Sequence, residues 1–335
     1  MKKLLSVILA LVMILSLSTV AFAANQDASF TKTYKLTNAG TRNPAETFTF
    51  QFTADHVTDS NSNLGTDKMP AIPNATVEYG EGTATTDGLK KTVDVALADV
   101  VWPGVGIYYY KVNEVAGTTA GVTYDGETAY LKVTVAYDEG TNTYYTAFVT
   151  LNLADDNGDG QTDSKTGGFT NEYSAGSLAI SKQVTGNMGD QSAYFAVKVT
   201  LTGEQGKTYL DSYPVSGGSN ASNSTSIAIG VETTFYLKHG ETITISNLPY
   251  GVTYSVEEED YTDAAKGGYD EASYNFYDSN KKIDTDSDTV TITNNKGATV
   301  DTGIVLDSMP YVLLLAVAAM GLAVLLTKKR ASRED

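Results

Sequence analysis

Two sets of residues in this chain could do chemistry together: Lys32, Glu114 and Asn171, and then, in the same order, Lys182, Glu258 and Asn294. Each member sits in a short pattern that occurs twice. Ser29-Phe30-Thr31-Lys32 recurs as Ala179-Ile180-Ser181-Lys182, and Phe169-Thr170-Asn171 as Ile292-Thr293-Asn294. Between them, Tyr110-Lys111-Val112-Asn113-Glu114 is matched by Tyr254-Ser255-Val256-Glu257-Glu258. Side chains of an extended strand alternate with a period of two. Lys32 therefore shares a face with Phe30 and Tyr34, Lys182 with Ile180 and Val184, each Glu with a Tyr and a Val, and each Asn with the apolar residue two places before it. All six point toward a core. Burial disfavours the charged form of both groups, leaving the lysine a neutral, nucleophilic amine and the Glu a proton donor. Three unrelated inward-edge residues, or a buried Lys–Glu pair with Asn as a spectator, would account for either trio alone. The same order and alternation phase in both halves points to a shared chemical purpose.

The elements that must hold these residues are strands. Tyr outnumbers Phe 22 to 10, Thr is frequent in alternating runs, and no long helical pattern interrupts the middle of the chain, a composition that favours sheets with one wet face. Strand-like runs such as Phe48-Thr49-Phe50-Gln51-Phe52 and Phe195-Ala196-Val197-Lys198-Val199 follow the two lysines, and Pro/Gly turns at Pro103-Gly104 and Pro249-Tyr250-Gly251 precede the two Glu patterns. A length of 335 residues exceeds one ordinary domain, and the repeat implies two. The net charge of -17 argues against nucleic acid and anionic membrane surfaces as partners, since both would repel the chain.

The ends follow export rules. Met1-Lys2-Lys3, an apolar run from Leu4 to about Val20 and the small-x-small site Ala21-Phe22-Ala23 read as a signal peptide over 1–23. An apolar stretch, placed at 309–327, is followed by the basic tail beginning Lys328-Lys329-Arg330, the arrangement of a membrane span with its positive flank inside. A permanent single-span anchor is the simplest account of it. Preceded by Thr299-Val300-Asp301-Thr302-Gly303, however, the trio of Thr-Gly, span and basic tail resembles the cell-wall sorting signal cut by sortases. That likeness implies cleavage between Thr302 and Gly303 and transfer of the Thr302 carbonyl to an amine, with the span only a transient brake in the membrane. Thr299 and Val300 stand where the usual signal has Leu and Pro. Secretion would commonly bring disulfides, yet the chain has no cysteine, so any covalent brace must come from other residues.

With these features together, the chain resembles the Gram-positive backbone (major) pilins built from pilin isopeptide-linkage domains. The resemblance implies an all-β fold of two tandem immunoglobulin-like β-sandwich domains, 24–175 and 176–298, between the signal peptide and a sorting segment at 299–335. It implies amide bonds Lys32–Asn171 and Lys182–Asn294, assisted by Glu114 and Glu258. In each, a protonated Glu would donate to the Asn side-chain oxygen and relay a proton as ammonia leaves. That is single-turnover maturation and not enzyme turnover, and it needs no cofactor. The implied partners are a class C-type sortase, neighbouring pilin subunits and cell-wall peptidoglycan, and the implied location is the cell wall and pilus at the cell surface. Family likeness puts the intersubunit acceptor at Lys165, with Lys90, Lys91 and Lys111 as rivals. The alternative is a wall-anchored adhesin or pilus-tip protein that binds a host surface or matrix ligand and needs no acceptor lysine. Asp155, Asn157 and Asp159 fit the opening of a Ca²⁺ loop, but Thr166 stands where a bidentate Glu belongs, which favours an acidic hairpin turn and no metal. His56 and His239 lie in polar, loop-like contexts without triad partners, and Trp102 beside Pro103 reads as a turn anchor.

Overall fold

The computed structural model describes residues 28–60, 64–153, 168–298 and 309–331. The expected signal peptide, the sorting pentapeptide with Thr302 and Gly303, the acceptor candidate Lys165 and the loop with Asp155, Asn157 and Asp159 lie outside the described residues.

Alternating apolar residues fold the first part into two sheets. One contains β1 (Ala28–Leu36), β4 (Leu89–Val95), β6 (Val122–Thr123) and β9 (Gly168–Tyr173) in the order β4-β1-β9-β6. The other contains β2 (Glu46–Thr58), β3 (Ala75–Tyr79), β5 (Gly106–Val115), β7 (Thr128–Asp138) and β8 (Thr143–Leu153) in the order β3-β2-β5-β7-β8. In β1 the buried positions are Ala28, Phe30, Lys32, Tyr34 and Leu36, a strict period of two. Between the sheets, Phe30 meets Phe50 edge-on with centroids 4.9 Å apart, and Tyr34 meets Phe48 at 5.1 Å. These are favourable aromatic geometries in a core that has no disulfide.

The second part repeats the plan with different strand numbers. Strands β10 (Ala175–Thr185), β12 (Tyr213–Gly217), β13 (Ser226–Ile227), β15 (Thr242–Pro249), β17 (Ser273–Phe276) and β18 (Ser287–Asn295) form a sheet ordered β13-β12-β15-β10-β18-β17. Strands β11 (Phe195–Thr202), β14 (Thr233–Leu237) and β16 (Thr253–Glu258) form another, ordered β14-β11-β16. Leu178, Ile180, Val197, Val199, Ile243 and Ile292 from both sheets share one core. The expected all-β architecture of tandem sandwiches is borne out.

Two strand pairs position the chemistry. Among the named strand pairs, β1–β9 and β10–β18 are parallel, and the others are antiparallel. Parallel neighbours cannot be joined by a tight turn, and here the whole remainder of each sandwich forms the connection. In the first pair Lys32 lies opposite Phe169 and Tyr34 opposite Asn171; in the second, Lys182 lies opposite Ile292 and Val184 opposite Asn294. Each Asn thus sits two residues ahead of its Lys, on the same face.

Only Ser174 separates β9 from β10. Around this connector the two parts are tied at three further places. Asn38 Nδ2 donates to the Ala175 carbonyl at 2.6 Å and to the Tyr250 hydroxyl at 2.8 Å. The Arg42 backbone N–H donates to Asn247 Oδ1 at 2.8 Å, and Asn247 Nδ2 returns to the Arg42 carbonyl at 3.0 Å. Thr208 N–H donates to the Thr118 carbonyl at 2.8 Å, and Ala120 N–H to the Thr208 carbonyl at 2.9 Å.

Helix α1 (Met309–Ala331) forms where a span was expected at 309–327. Its residues 311–324 are exposed and apolar. Among the described residues no helix is long and apolar enough to cross a membrane. One smaller expectation changes. His56 is not in a loop but on β2, at a bulge beside Ala54, where its ring stacks on Tyr109 with centroids 4.2 Å apart. Trp102 is buried outside any strand, and its Nε1 donates to Thr146 Oγ1 at 3.1 Å.

Gly168 opens β9 with φ 137°, and a Cβ there would stand 1.6 Å from the Thr31 carbonyl oxygen of β1. Gly168→Ala must push the two strands apart or twist β9, at a cost on the order of 2–4 kcal/mol. The expected outcome is a lower denaturation midpoint, measured by equilibrium unfolding of the variant.

Candidate functional site

The six residues singled out in the sequence meet in two clusters. Lys32 stands in the middle of β1, fully buried, with its Nζ 2.5 Å from Glu114 Oε2 and 2.5 Å from Asn171 Oδ1. Asn171 Nδ2 donates to the other Glu114 oxygen, Oε1. Glu114 comes from β5 of the facing sheet, where it pairs with Phe50. The site is therefore closed only when both sheets stack. In the second cluster Lys182 Nζ lies 2.6 Å from Asn294 Oδ1, and Asn294 Nδ2 donates to Glu258 Oε1 at 2.5 Å. Lys182 Nζ is also 2.9 Å from Glu258 Oε2, an ion-pair distance outside hydrogen-bond alignment. An aromatic ring covers each amine: Phe48 at 4.6 Å from Lys32 Nζ and Phe195 at 4.3 Å from Lys182 Nζ.

Desolvation dominates the electrostatics. It pushes the Lys32 and Lys182 amines below the ordinary lysine range, while the neighbouring Glu pulls each back up. The same burial pushes the Glu114 and Glu258 carboxyls up, with the adjacent lysine opposing. Both directions favour a neutral amine facing a protonated carboxyl, two groups that exchange a proton over a short contact. A neutral amine beside an amide carbon, with an acid on the amide nitrogen, is an arrangement suited to acyl transfer.

One detail departs from expectation. In both clusters the Glu meets the Asn side-chain nitrogen, not its oxygen. In the first, the oxygen receives the backbone N–H of Asp125 at 2.8 Å in addition to the lysine. A backbone N–H can only donate, so the atom it meets must be the oxygen, which fixes the orientation of the Asn171 amide. Asp125 leaves little trace in the sequence because the group that meets Asn171 belongs to its main chain. Its one signal is the turn-forming pair Asp125-Gly126, one residue beyond β6. The alternation marks Phe48 and Phe195 as strand residues but not their place over the lysines.

Asn294 is buried, whereas Asn295 is exposed and donates to Asp270 Oδ2 at 2.6 Å. Of the acceptor rivals, Lys111 pairs with Asp55 at 2.9 Å, Lys91 donates to the Glu78 carbonyl at 2.7 Å, and Lys90 is exposed on β4 opposite Thr33. His239 Nδ1 accepts from the Val184 backbone N–H at 3.0 Å and so serves the turn after β14.

Residues 28–174 match the family described as Spy0128-like isopeptide containing domain, and residues 176–296 match a domain of unknown function (DUF7601). The chain is 28% identical over 317 residues to a pilin of Streptococcus pyogenes serotype M1, covering 90% of each protein. Among solved structures it resembles the major pilin of Streptococcus pyogenes, with TM-score 0.56 and 23% identity, covering 82% of this chain and all of the other. It also resembles the major pilin protein T3.2 of Streptococcus pyogenes serotype GAS13637, with TM-score 0.55 and 26% identity, covering 82% of this chain and 99% of the other. Residues 28–174 thus carry a Spy0128-like isopeptide containing domain, and the chain as a whole is similar in sequence and fold to the major pilins of Streptococcus pyogenes.

Proposed function

We propose that this protein is the shaft subunit of a sortase-assembled pilus, built of two domains, 24–175 and 176–298, each locked by its own Lys–Asn isopeptide bond. The observation that carries the proposal is the recurrence of one Lys–Glu–Asn cluster at the same register offset in both parallel strand pairs. Coincidental polar burial does not predict such a repeat.

In each cluster the neutral lysine Nζ attacks the Asn side-chain carbon. The proton it sheds passes to the Glu oxygen beside it, and the Glu delivers a proton from its other oxygen to the departing nitrogen. A C–N bond forms, a C–N bond breaks, and ammonia leaves. The oxygens of Glu114 face Lys32 Nζ and Asn171 Nδ2 respectively, which suits this relay. The enclosing aromatic core keeps water from hydrolysing the product. The bonds join residues 139 and 112 positions apart. Cross-links of such span stabilise by about 5 kcal/mol each on the chain-entropy estimate, and an amide is not reducible.

Export by the signal peptide, retention by the 309–327 segment and cleavage between Thr302 and Gly303 by a class C-type sortase would pass the Thr302 carbonyl to Lys165 of the next subunit. The last subunit would be passed to peptidoglycan. Tension entering at Lys165 would run along β9 and, past Ser174, along β10 to Lys182, cross to Asn294 and leave by the C-terminal end of β18. The Lys32–Asn171 bond would pin the loaded strand to its neighbour without carrying the load itself.

The intact mass of residues 25–298 is expected to fall short by two ammonias, about 17 Da each, and by one in Glu114→Ala or Glu258→Ala. A full-length mass in the wild type would leave only buried polar pairing. Under single-molecule pulling, Glu258→Ala should extend at forces the wild type resists, whereas Glu114→Ala should mainly lower the melting temperature; equal extension in both would refute the load path. Lys165→Ala should abolish the high-mass ladder of cell-wall extracts on denaturing gels, and an intact ladder would move the acceptor to another lysine.

A further inference from the structure

The carbonyl oxygen of Asn171 has a partner that the second cluster lacks. Strand β6 runs antiparallel to β9, with Val122 opposite Tyr173 and Thr123 opposite Glu172, and then the chain leaves the ladder. Where the next ladder bonds would fall, the side chain of Asp125 takes over. Its Oδ2 accepts the Thr170 backbone N–H of β9 at 2.7 Å, and its Oδ1 accepts the Glu127 N–H at 3.0 Å, closing a turn around Gly126. Strapped from both sides, Asp125 presents its own backbone N–H to Asn171 Oδ1 at 2.8 Å. In the second cluster, among the described residues, Asn294 Oδ1 accepts from Lys182 Nζ alone.

We propose that the Asp125 backbone N–H is an oxyanion-hole donor for closure of the first bond, and that the Asp125 carboxylate is the positioning group that holds it there. The inference rests on the isopeptide reading above. When Lys32 Nζ adds to the Asn171 side-chain carbon, the C=O electron pair moves onto Oδ1, where the 2.8 Å donor already points. Charge returns from that oxygen as the bond to Nδ2 breaks and ammonia departs. Donors fixed in advance at a developing oxyanion do more than solvent can, because nothing needs to reorient during the reaction. Glu114 is thereby freed for the nitrogen side, where Asn171 Nδ2 already donates to it. The Asp125 negative charge has a second effect, since it pushes the Glu114 carboxyl further toward its protonated form.

The test is a time course of cell-free synthesis of the full chain. Samples are quenched, digested and read by mass spectrometry for two linked peptides, Lys32 to Asn171 and Lys182 to Asn294. Replacing residue 125 with the α-hydroxy acid counterpart of aspartate turns its amide into an ester and deletes only the N–H. The expected result is about 10²-fold slower closure of the first link, with the second link in the same molecules unchanged. Asp125→Ala, which removes the strap but keeps the N–H, should also slow the first link selectively, and Asp125→Asn, which keeps one acceptor, should recover part of that rate. First-link closure at the wild-type rate in the ester chain, or in Asp125→Ala, overturns the proposal while leaving the isopeptide reading intact. Absence of the first link from the wild type overturns both.

Discussion

A lysine amine kept from water between two sheets is the constraint around which each half of this protein is built. Burying an uncompensated ammonium is prohibitively costly, so the amine must find a carboxyl, and the carboxyl must come from the opposite sheet because the lysine's own sheet supplies the amide. Lys32 obtains Glu114 across the sandwich and Asn171 along its own sheet; Lys182 obtains Glu258 and Asn294 in the same way. Stacking of the sheets and assembly of the cluster are consequently one event. The aromatic lids Phe48 and Phe195 serve both ends, since a ring face tolerates an ammonium during folding and excludes water afterwards.

The two clusters are alike in connectivity and unlike in surroundings. The first sits under Phe48 and Phe50, and its amide oxygen is held by the Asp125 turn. The second borders an acidic cleft lined by Glu258, Glu259, Asp260, Asp270 and Asn294. Sheets of four and five strands enclose the first and sheets of six and three the second, yet the register between the parallel strands is the same. Conserving that register is sufficient to bring the amine and amide together, and the rest of the sandwich is free to differ.

Much of this was readable in the residues because the signal has period two. Lys32, Glu114 and Asn171 share the phase of Phe30, Val112 and Phe169, and their burial follows from that phase. The same phase separates buried Asn294 from exposed Asn295. Alternation does not say which strands are neighbours, so the parallel β1–β9 and β10–β18 pairings became visible only in the fold. Which amide atom faces the Glu is also illegible in the sequence; in the first cluster it is fixed by a donor from outside the trio. Asp125 contributes a group that every residue but proline possesses, and only its placement makes it special. His56 sits among polar residues that read as a loop, and the bulge there breaks the alternation that would mark it as strand.

The junction between the halves bears on how a chain of such subunits bends. A one-residue connector alone would act as a pivot, but here the Arg42–Asn247 exchange, the Asn38 bridge to Tyr250 and Ala175, and the Thr118–Thr208 contact restrain tilt and twist about Ser174. Each subunit then behaves as a stiff segment, and the curvature of a long fibre is concentrated at the joints between subunits. The persistence length of such a fibre is a property of those joints, whereas its resistance to stretching is a property of the segments.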